Sequence, residues 1–218
     1  MNELRSQRYW RNREPDERVR NTLIPKRFRK ETLDTYDAKG PDAVTMVHIN
    51  NWVESAHDRV TQGEGLFICG ATGSGKTHLA QAILKRVVHN WTLSGMFITA
   101  DKYIQLAYNE IKFGDDLPEG YEDPNLMKYM QETYDLLVLD SLGSERPTEF
   151  TKKTIISLIE SRYHNQLATI ITSTLKPQQL ADMYSVSLMS IIRDSCLTIP
   201  LKNSDYRISK WLDQNAGQ

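Results

Sequence analysis

Cysteine is nearly missing from this chain: Cys69 and Cys196 are the only two in 218 residues. Two thiols build neither a disulfide framework nor a four-cysteine zinc site, and the five histidines fall at no metal-ligand spacing. Both cysteines sit in apolar, strand-like contexts, which reads as buried reduced thiols in a cytosolic protein. No apolar run approaches the roughly 18 residues of a membrane span, and the charged N-terminus lacks the form of a signal peptide. Internal repeats and low-complexity tracts are absent. Net charge is almost absent too, at −1, but it conceals an asymmetry. Residues 1–31 carry ten Lys/Arg against five Asp/Glu, or +5, which leaves −6 for the remainder.

What is present is ordinary in bulk and specific in detail. A hydrophobic content of 39% and a charged content of 25% are those of a globular protein, and the length allows one good core. The stretch Gly70-Ala71-Thr72-Gly73-Ser74-Gly75-Lys76-Thr77 matches G-x-x-x-x-G-K-[ST] at every required position. Leu66-Phe67-Ile68-Cys69 before it reads as a buried strand, and His78–Val88 after it has apolar residues at helical spacing. Strand, glycine loop and helix form a phosphate cradle. The glycines let backbone N–H groups point inward, and the helix adds the positive end of its dipole. Lys76 reaches the β- and γ-phosphates of a nucleoside triphosphate, and the Thr77 hydroxyl ligates Mg²⁺. Gly70 through Thr77, with His78 directly after, make up the expected nucleotide-contacting set.

Downstream, Leu136-Leu137-Val138-Leu139-Asp140 is an apolar strand ending on an acid. Such an acid lies at the crevice where open α/β sheets bind ligands, so Asp140 is the second expected Mg²⁺ holder. Further strands are expected at 96–100, 168–173 and 197–201. Helices are expected at 44–60, 101–111 (capped by Asp101), 125–132, 148–164 (capped by Thr148), 177–184 and 187–195. Inward faces are read as Val47, Ile49, Trp52, Val53 and Ala56, then Tyr103, Leu106, Ala107 and Ile111, then Phe150, Ile155, Ile156, Leu158, Ile159 and Tyr163. Strands alternating with helices imply a three-layer α/β fold on a parallel sheet. Residues 113–124 form a long acidic loop, and an amphipathic tail runs from Asp205 to about Asp213. Residues 1–22 read as an exposed, charged helix, with Pro15 marking a break or a start. They are either a solvated leader or an arm that docks a protein or nucleic acid through Tyr9 and Trp10. The ATPase domain is then 23–218.

Several strings in order point to one family: Ile24-Pro25-Lys26-Arg27-Phe28, Gly65–Ala80, Phe97-Ile98-Thr99-Ala100, Leu139-Asp140-Ser141-Leu142-Gly143, Ser161-Arg162-Tyr163, Thr169–Ser173 and Asp205-Tyr206-Arg207. In these the chain resembles the DnaC/IstB-type P-loop ATPases of the AAA+ class, which comprise helicase loaders and transposition helper ATPases. The resemblance implies a five-stranded sheet of order 5-1-4-3-2, ATP/ADP with Mg²⁺ at a subunit edge, single-stranded DNA as a ligand and a replicative hexameric helicase as partner. A homo-oligomer on the helicase is a further candidate assembly, and the lack of a long apolar run leaves no membrane partner expected. Arg207 matches the sensor 2 arginine and Thr174 the sensor 1 position. Where the family has a second acid after Asp140 this chain has Ser141, leaving Glu145 as a substitute. Where the family carries finger arginines it has Ser187 and Ile191, leaving Arg193. These departures predict a weak, switch-like Mg²⁺-dependent ATPase. The expected function is an ATP-controlled helicase loader; the alternatives are a transposition helper assembling on duplex DNA and a hydrolysis-poor adaptor or inhibitor of the helicase. A small-molecule kinase is disfavoured because no arginine-rich lid is present. Lys102, Tyr103, Tyr108 and Lys112 are the candidate DNA contacts, Tyr103 having a core-facing alternative.

Overall fold

The computed structural model describes residues 13–36, 42–113 and 125–202. Five strands form one all-parallel sheet: β1 (Gly65–Gly70), β2 (Gly95–Thr99), β3 (Leu136–Leu142), β4 (Ala168–Ser173) and β5 (Cys196–Leu201). Their spatial order is β2-β3-β4-β1-β5, the 5-1-4-3-2 order that the resemblance implies. Successive side chains of a strand point to opposite faces, so each apolar run feeds two cores. Leu66, Ile68, Leu136, Val138 and Ile170 enter one; Phe67, Leu137, Leu139 and Ile171 enter the other. Strands buried on both faces read as continuous apolar runs, which is why β1, β2, β3 and β4 are legible in the sequence.

The first face is covered by α2 (Asp42–Glu54), α3 (Ala56–Thr61) and α4 (Lys76–Asn90), preceded by a short α1 (Pro15–Arg20). Ile49, Trp52, Val53, Leu79, Ile83, Leu84 and Val87 supply the contact. The second face is covered by α5 (Ala100–Phe113), α6 (Leu126–Glu132), α7 (Glu149–His164), α8 (Pro177–Met183) and α9 (Val186–Ser195), through Tyr103, Met130, Ile155, Leu158, Leu180, Leu188 and Ile192. Gly65 has no room for a side chain: a β-carbon there would fall 1.9 Å from the Thr169 carbonyl oxygen on neighbouring β4.

Several expectations need correction. The helix expected over 44–60 breaks at Ser55, whose hydroxyl donates to the Asn51 carbonyl at 2.9 Å and competes with helix continuation. Val47 on it is exposed. α5 starts at Ala100 with Asp101 inside it, and the Thr99 hydroxyl, not Asp101, accepts from an early backbone N–H, that of Lys102 at 3.2 Å. Ile111 is exposed near the end of that helix, and Tyr163 is exposed on α7, its hydroxyl donating to Asp194 at 2.7 Å. The Thr148 cap stands: its hydroxyl accepts from Thr151 N–H. Cys196 is buried and Cys69 half-buried; burial pushes both thiols up, Cys196 to about 12.

Residues 1–12 lie outside the described residues, as do most of the acidic loop and the tail with Arg207. The described part of the N-terminal segment packs on the helices and sheet of the core. Arg18 is buried and donates to the carbonyls of Val88 (3.0 Å) and His89 (3.2 Å), acceptors left over at the C-terminal end of α4. The Thr22 carbonyl accepts from Phe97 N–H at 2.8 Å on the outer edge of β2.

Candidate nucleotide site

β1 ends at Gly70 and α4 begins at Lys76, so the loop between them lies at the C-terminal edge of the sheet. Gly73 (φ 75°) and Gly75 (φ 95°) take left-handed torsions that an L side chain resists. Lys76 is largely buried, and its ammonium donates to the loop carbonyls of Gly70 (2.8 Å) and Ala71 (2.6 Å). A phosphate in the cradle would compete for this ammonium with a full anionic charge.

Opposite the loop, Asp140 is 4% exposed. Its Oδ1 accepts from the hydroxyls of Thr77 (2.9 Å) and Thr172 (2.7 Å), and its Oδ2 accepts from Ser141 (3.2 Å). Thr77 and Asp140 thus bring a hydroxyl and a carboxylate oxygen together beside a phosphate-cradling loop. Hard oxygen donors of this kind fit Mg²⁺. Thr172 also accepts from the Ser141 N–H at 2.8 Å.

This arrangement depends on a bulge. The β3–β4 register pairs Leu139 with Ile171 but Leu142 with Ser173, so Asp140 and Ser141 together oppose Thr172. Ser141 takes φ 63°, unusual for a residue with a side chain. Bulges of this kind re-aim side chains at functional edges.

The other sequence-derived site residues are dispersed. Glu145 is buried, but its carboxylate accepts from the Gly143 N–H at 3.0 Å within its own loop, and burial raises its pKa. Thr174 is exposed one residue beyond β4. Arg193 is exposed on α9, and neighbouring Asp194 takes the Tyr163 hydroxyl instead of pairing with it. Ser187 is exposed, and Ile191 packs against the core. His78 turns from the loop toward a preceding strap: Nε2 lies 2.9 Å from the Thr32 carbonyl oxygen and Nδ1 3.4 Å from Glu31 Oε2.

That strap, residues 28–36, runs along α4. Lys85 donates to the carbonyls of Phe28, Arg29 and Glu31, and Arg86 pairs with Asp34 at 3.2 Å. The Tyr36 hydroxyl donates to the Ser74 carbonyl at 3.0 Å, and its ring lies 2.5 Å from where a β-carbon on Gly75 would fall. Thr172 and Tyr36 were not among the residues picked from sequence. Thr172 follows Ile170 on the same face of β4, a signal usable only once the bulge is known. Tyr36 carries no local signal.

Of the candidate DNA contacts, Tyr103 is excluded by burial. Its hydroxyl accepts from Gln131 at 2.8 Å, and burial pushes the phenol to about 12. Tyr108 is exposed and meets Phe150 edge to face at 6.4 Å, with Lys102 and Lys112 exposed on the same helix.

Comparison with known proteins gives a consistent picture. A family model described as "IstB-like ATP binding protein" matches residues 5–212. The replicative helicase loader DnaI of Bacillus subtilis (strain 168) is 25% identical over 158 residues, 72% of this chain and 48% of its own length. The chromosomal replication initiator protein DnaA of Streptococcus agalactiae serotype Ia is 29% identical over 142 residues, 62% of this chain and 30% of its own. The chain thus spans half or less of the curated relatives it matches. A crystal structure of the DnaC helicase loader superimposes with a TM-score of 0.73 at 28% identity, covering 82% of this chain and all of that one. AMPPCP-bound DnaA from Aquifex aeolicus shares the fold at a TM-score of 0.61 and 24% identity, over 85% of this chain and 56% of that one. Among the described residues, no helix is long and apolar enough to cross a membrane.

Proposed function

This chain belongs to the IstB-like family of ATP binding proteins, and on that footing we propose that it is an ATP-switched loader of a replicative DNA helicase. The observation that carries the reading is the match to the DnaC helicase loader over that chain's whole length. The convergence of Lys76, Thr77 and Asp140 on one loop agrees with it. ATP or ADP binds along Gly70–Thr77, and Thr77 and Asp140 hold Mg²⁺, which supplies charge neutralisation at the phosphates when bound. Lys76 leaves its loop carbonyls for the anion. Asp140 is oriented by three hydroxyl donors.

Hydrolysis is slow in this reading. Ser141 carries no carboxylate to polarise water, and Glu145 is engaged by its own loop. Arg193 and Arg207 remain the candidate charge donors to the γ-phosphate, and Thr174 a candidate water-orienting hydroxyl. With Ser141 in place of an acid and Ser187 and Ile191 in place of finger arginines, the site gates a partner rather than driving a motor, since a finger is worth about 10³–10⁵ in turnover. Tyr108, with Lys112 one turn on and Lys102 further back on the same helix, is the proposed single-stranded DNA contact. Residues 1–22 dock the helicase, and 23–218 form the ATPase domain.

Native mass spectrometry of the chain with the replicative helicase of its own replicon, with and without ATP, tests this. A defined complex altered by Lys76→Ala supports a loader or a helicase inhibitor, and unwinding assays then divide the two. The family match itself admits a second reading, an IstB-like transposition helper. ATP-dependent assembly on duplex DNA without a helicase complex would select that one.

A further inference from the structure

Gln81 is fully buried in the middle of α4, and neither its amide nitrogen nor its amide oxygen has a hydrogen-bond partner. An unpaired buried amide costs free energy that an apolar side chain of the same size would not, so its presence asks for a reason.

Its direction follows from its neighbours. Thr77, one turn earlier, reaches Asp140 on β3 at 2.9 Å. Leu84 and Val88, further along, approach Gly95 at the start of β2, each 2.6 Å from where a β-carbon there would lie. Residues 77, 81, 84 and 88 form one helical stripe, so Gln81 faces the sheet between Asp140 and Gly95. Helical side chains lean toward the N-terminus of their helix, which carries the Gln81 amide over the turn of Thr77. On the sheet, Asp140 follows Leu136 and Val138 on the face that α4 covers. The stripe therefore aims the unpaired amide toward the end of β3, where the hydroxyls of Thr77, Thr172 and Ser141 already hold the Asp140 carboxylate.

We propose that Gln81 is a positioning residue for Asp140. With magnesium nucleotide bound, the Gln81 N–H donates to the Asp140 carboxylate, directly or through one water, and fixes its rotation toward the cation's shell. This rests on the reading that the loop binds magnesium nucleotide.

The test is Gln81→Met, comparing ATP affinity in Mg²⁺ and in EDTA together with the melting temperature of the ligand-free chain. The expected result is an unlowered melting temperature, affinity in EDTA within twofold of wild type, and a 10–100-fold loss of the Mg²⁺-dependent gain, as for other residues behind a metal ligand. An unchanged Mg²⁺ gain overturns the proposal. Should the Met variant be unstable, the wild-type chain labelled with ¹⁵N-glutamine decides, its Gln81 side-chain signal assigned by its disappearance in Gln81→Asn. That signal shifts when Mg²⁺ joins bound nucleotide, and an unmoved signal overturns the proposal. A wild-type chain that binds no magnesium nucleotide overturns both readings; normal wild-type binding with an unaltered variant overturns only this one.

Discussion

Asp140 is the residue on which the site turns, and its neighbours set testable costs. Thr172 donates to Asp140 and accepts from Ser141 N–H at once, across the bulge. Thr172→Val keeps the shape, takes one of three donors from Asp140 and strands the Ser141 N–H, so it should cost about 1–3 kcal/mol of stability. In urea this appears as a lower midpoint with an unchanged slope. Glu145 behaves oppositely. Burial raises its pKa above the ordinary 4.5, so the folded chain holds the proton more tightly than the unfolded one. Stability is therefore lost as pH rises from 4.5 through the folded value, and it stays lost above. Glu145→Gln never ionises but can still accept from Gly143. It should be more stable than wild type at pH 7, with the gap closing near pH 4 in denaturant titrations.

At the scale of elements, the strands and the long helices are held by unequal devices. Gly65 on β1 faces the Thr169 carbonyl of β4, a backbone atom with little freedom to move. Gly65→Ala should cost about 3 kcal/mol, because two hydrogen-bonded strands must part to admit one methyl group. The cap of α7 is more modest. Thr148→Ala removes the acceptor for Thr151 N–H and should cost about 1 kcal/mol, measurable by the same unfolding experiment. A reversal of that ranking would mean the β1–β4 seam is looser than the spacing of its backbones indicates.

For the whole molecule, the informative boundary falls inside the N-terminal segment. Arg18 caps the end of α4, and Thr22 pairs with the edge of β2, so the stretch before residue 23 also braces the nucleotide-binding core. Removing residues 1–12 touches neither contact and should leave ATP affinity and melting temperature unchanged. Removing 1–22 exposes the β2 edge and leaves α4 uncapped. It should lower the melting temperature by several degrees, since about 1–2 kcal/mol corresponds to that in a chain of this size. Helicase binding lost already in the shorter deletion would place the docking function in 1–12.

The amino-acid sequence alone determined what is carried by contiguous residues: the glycine loop, apolar strands buried on both faces, the Thr148 cap and the acid ending β3. Each rests on torsions or periodicities within one element, so its signal is local. The strand order came from family resemblance, not periodicity, because hydrophobic patterns do not say which strands are neighbours. Only the tertiary structure decided the bulge at Asp140–Ser141, the Thr172 bridge, the Tyr36 strap and the burial of Gln81. These depend on register between strands and on a helix's rotation against the sheet. Tyr103, Ile111 and Tyr163 make the same point. Their helical spacing looks alike, yet one is sealed in the core and two are exposed, because neighbouring elements cover only part of each helix.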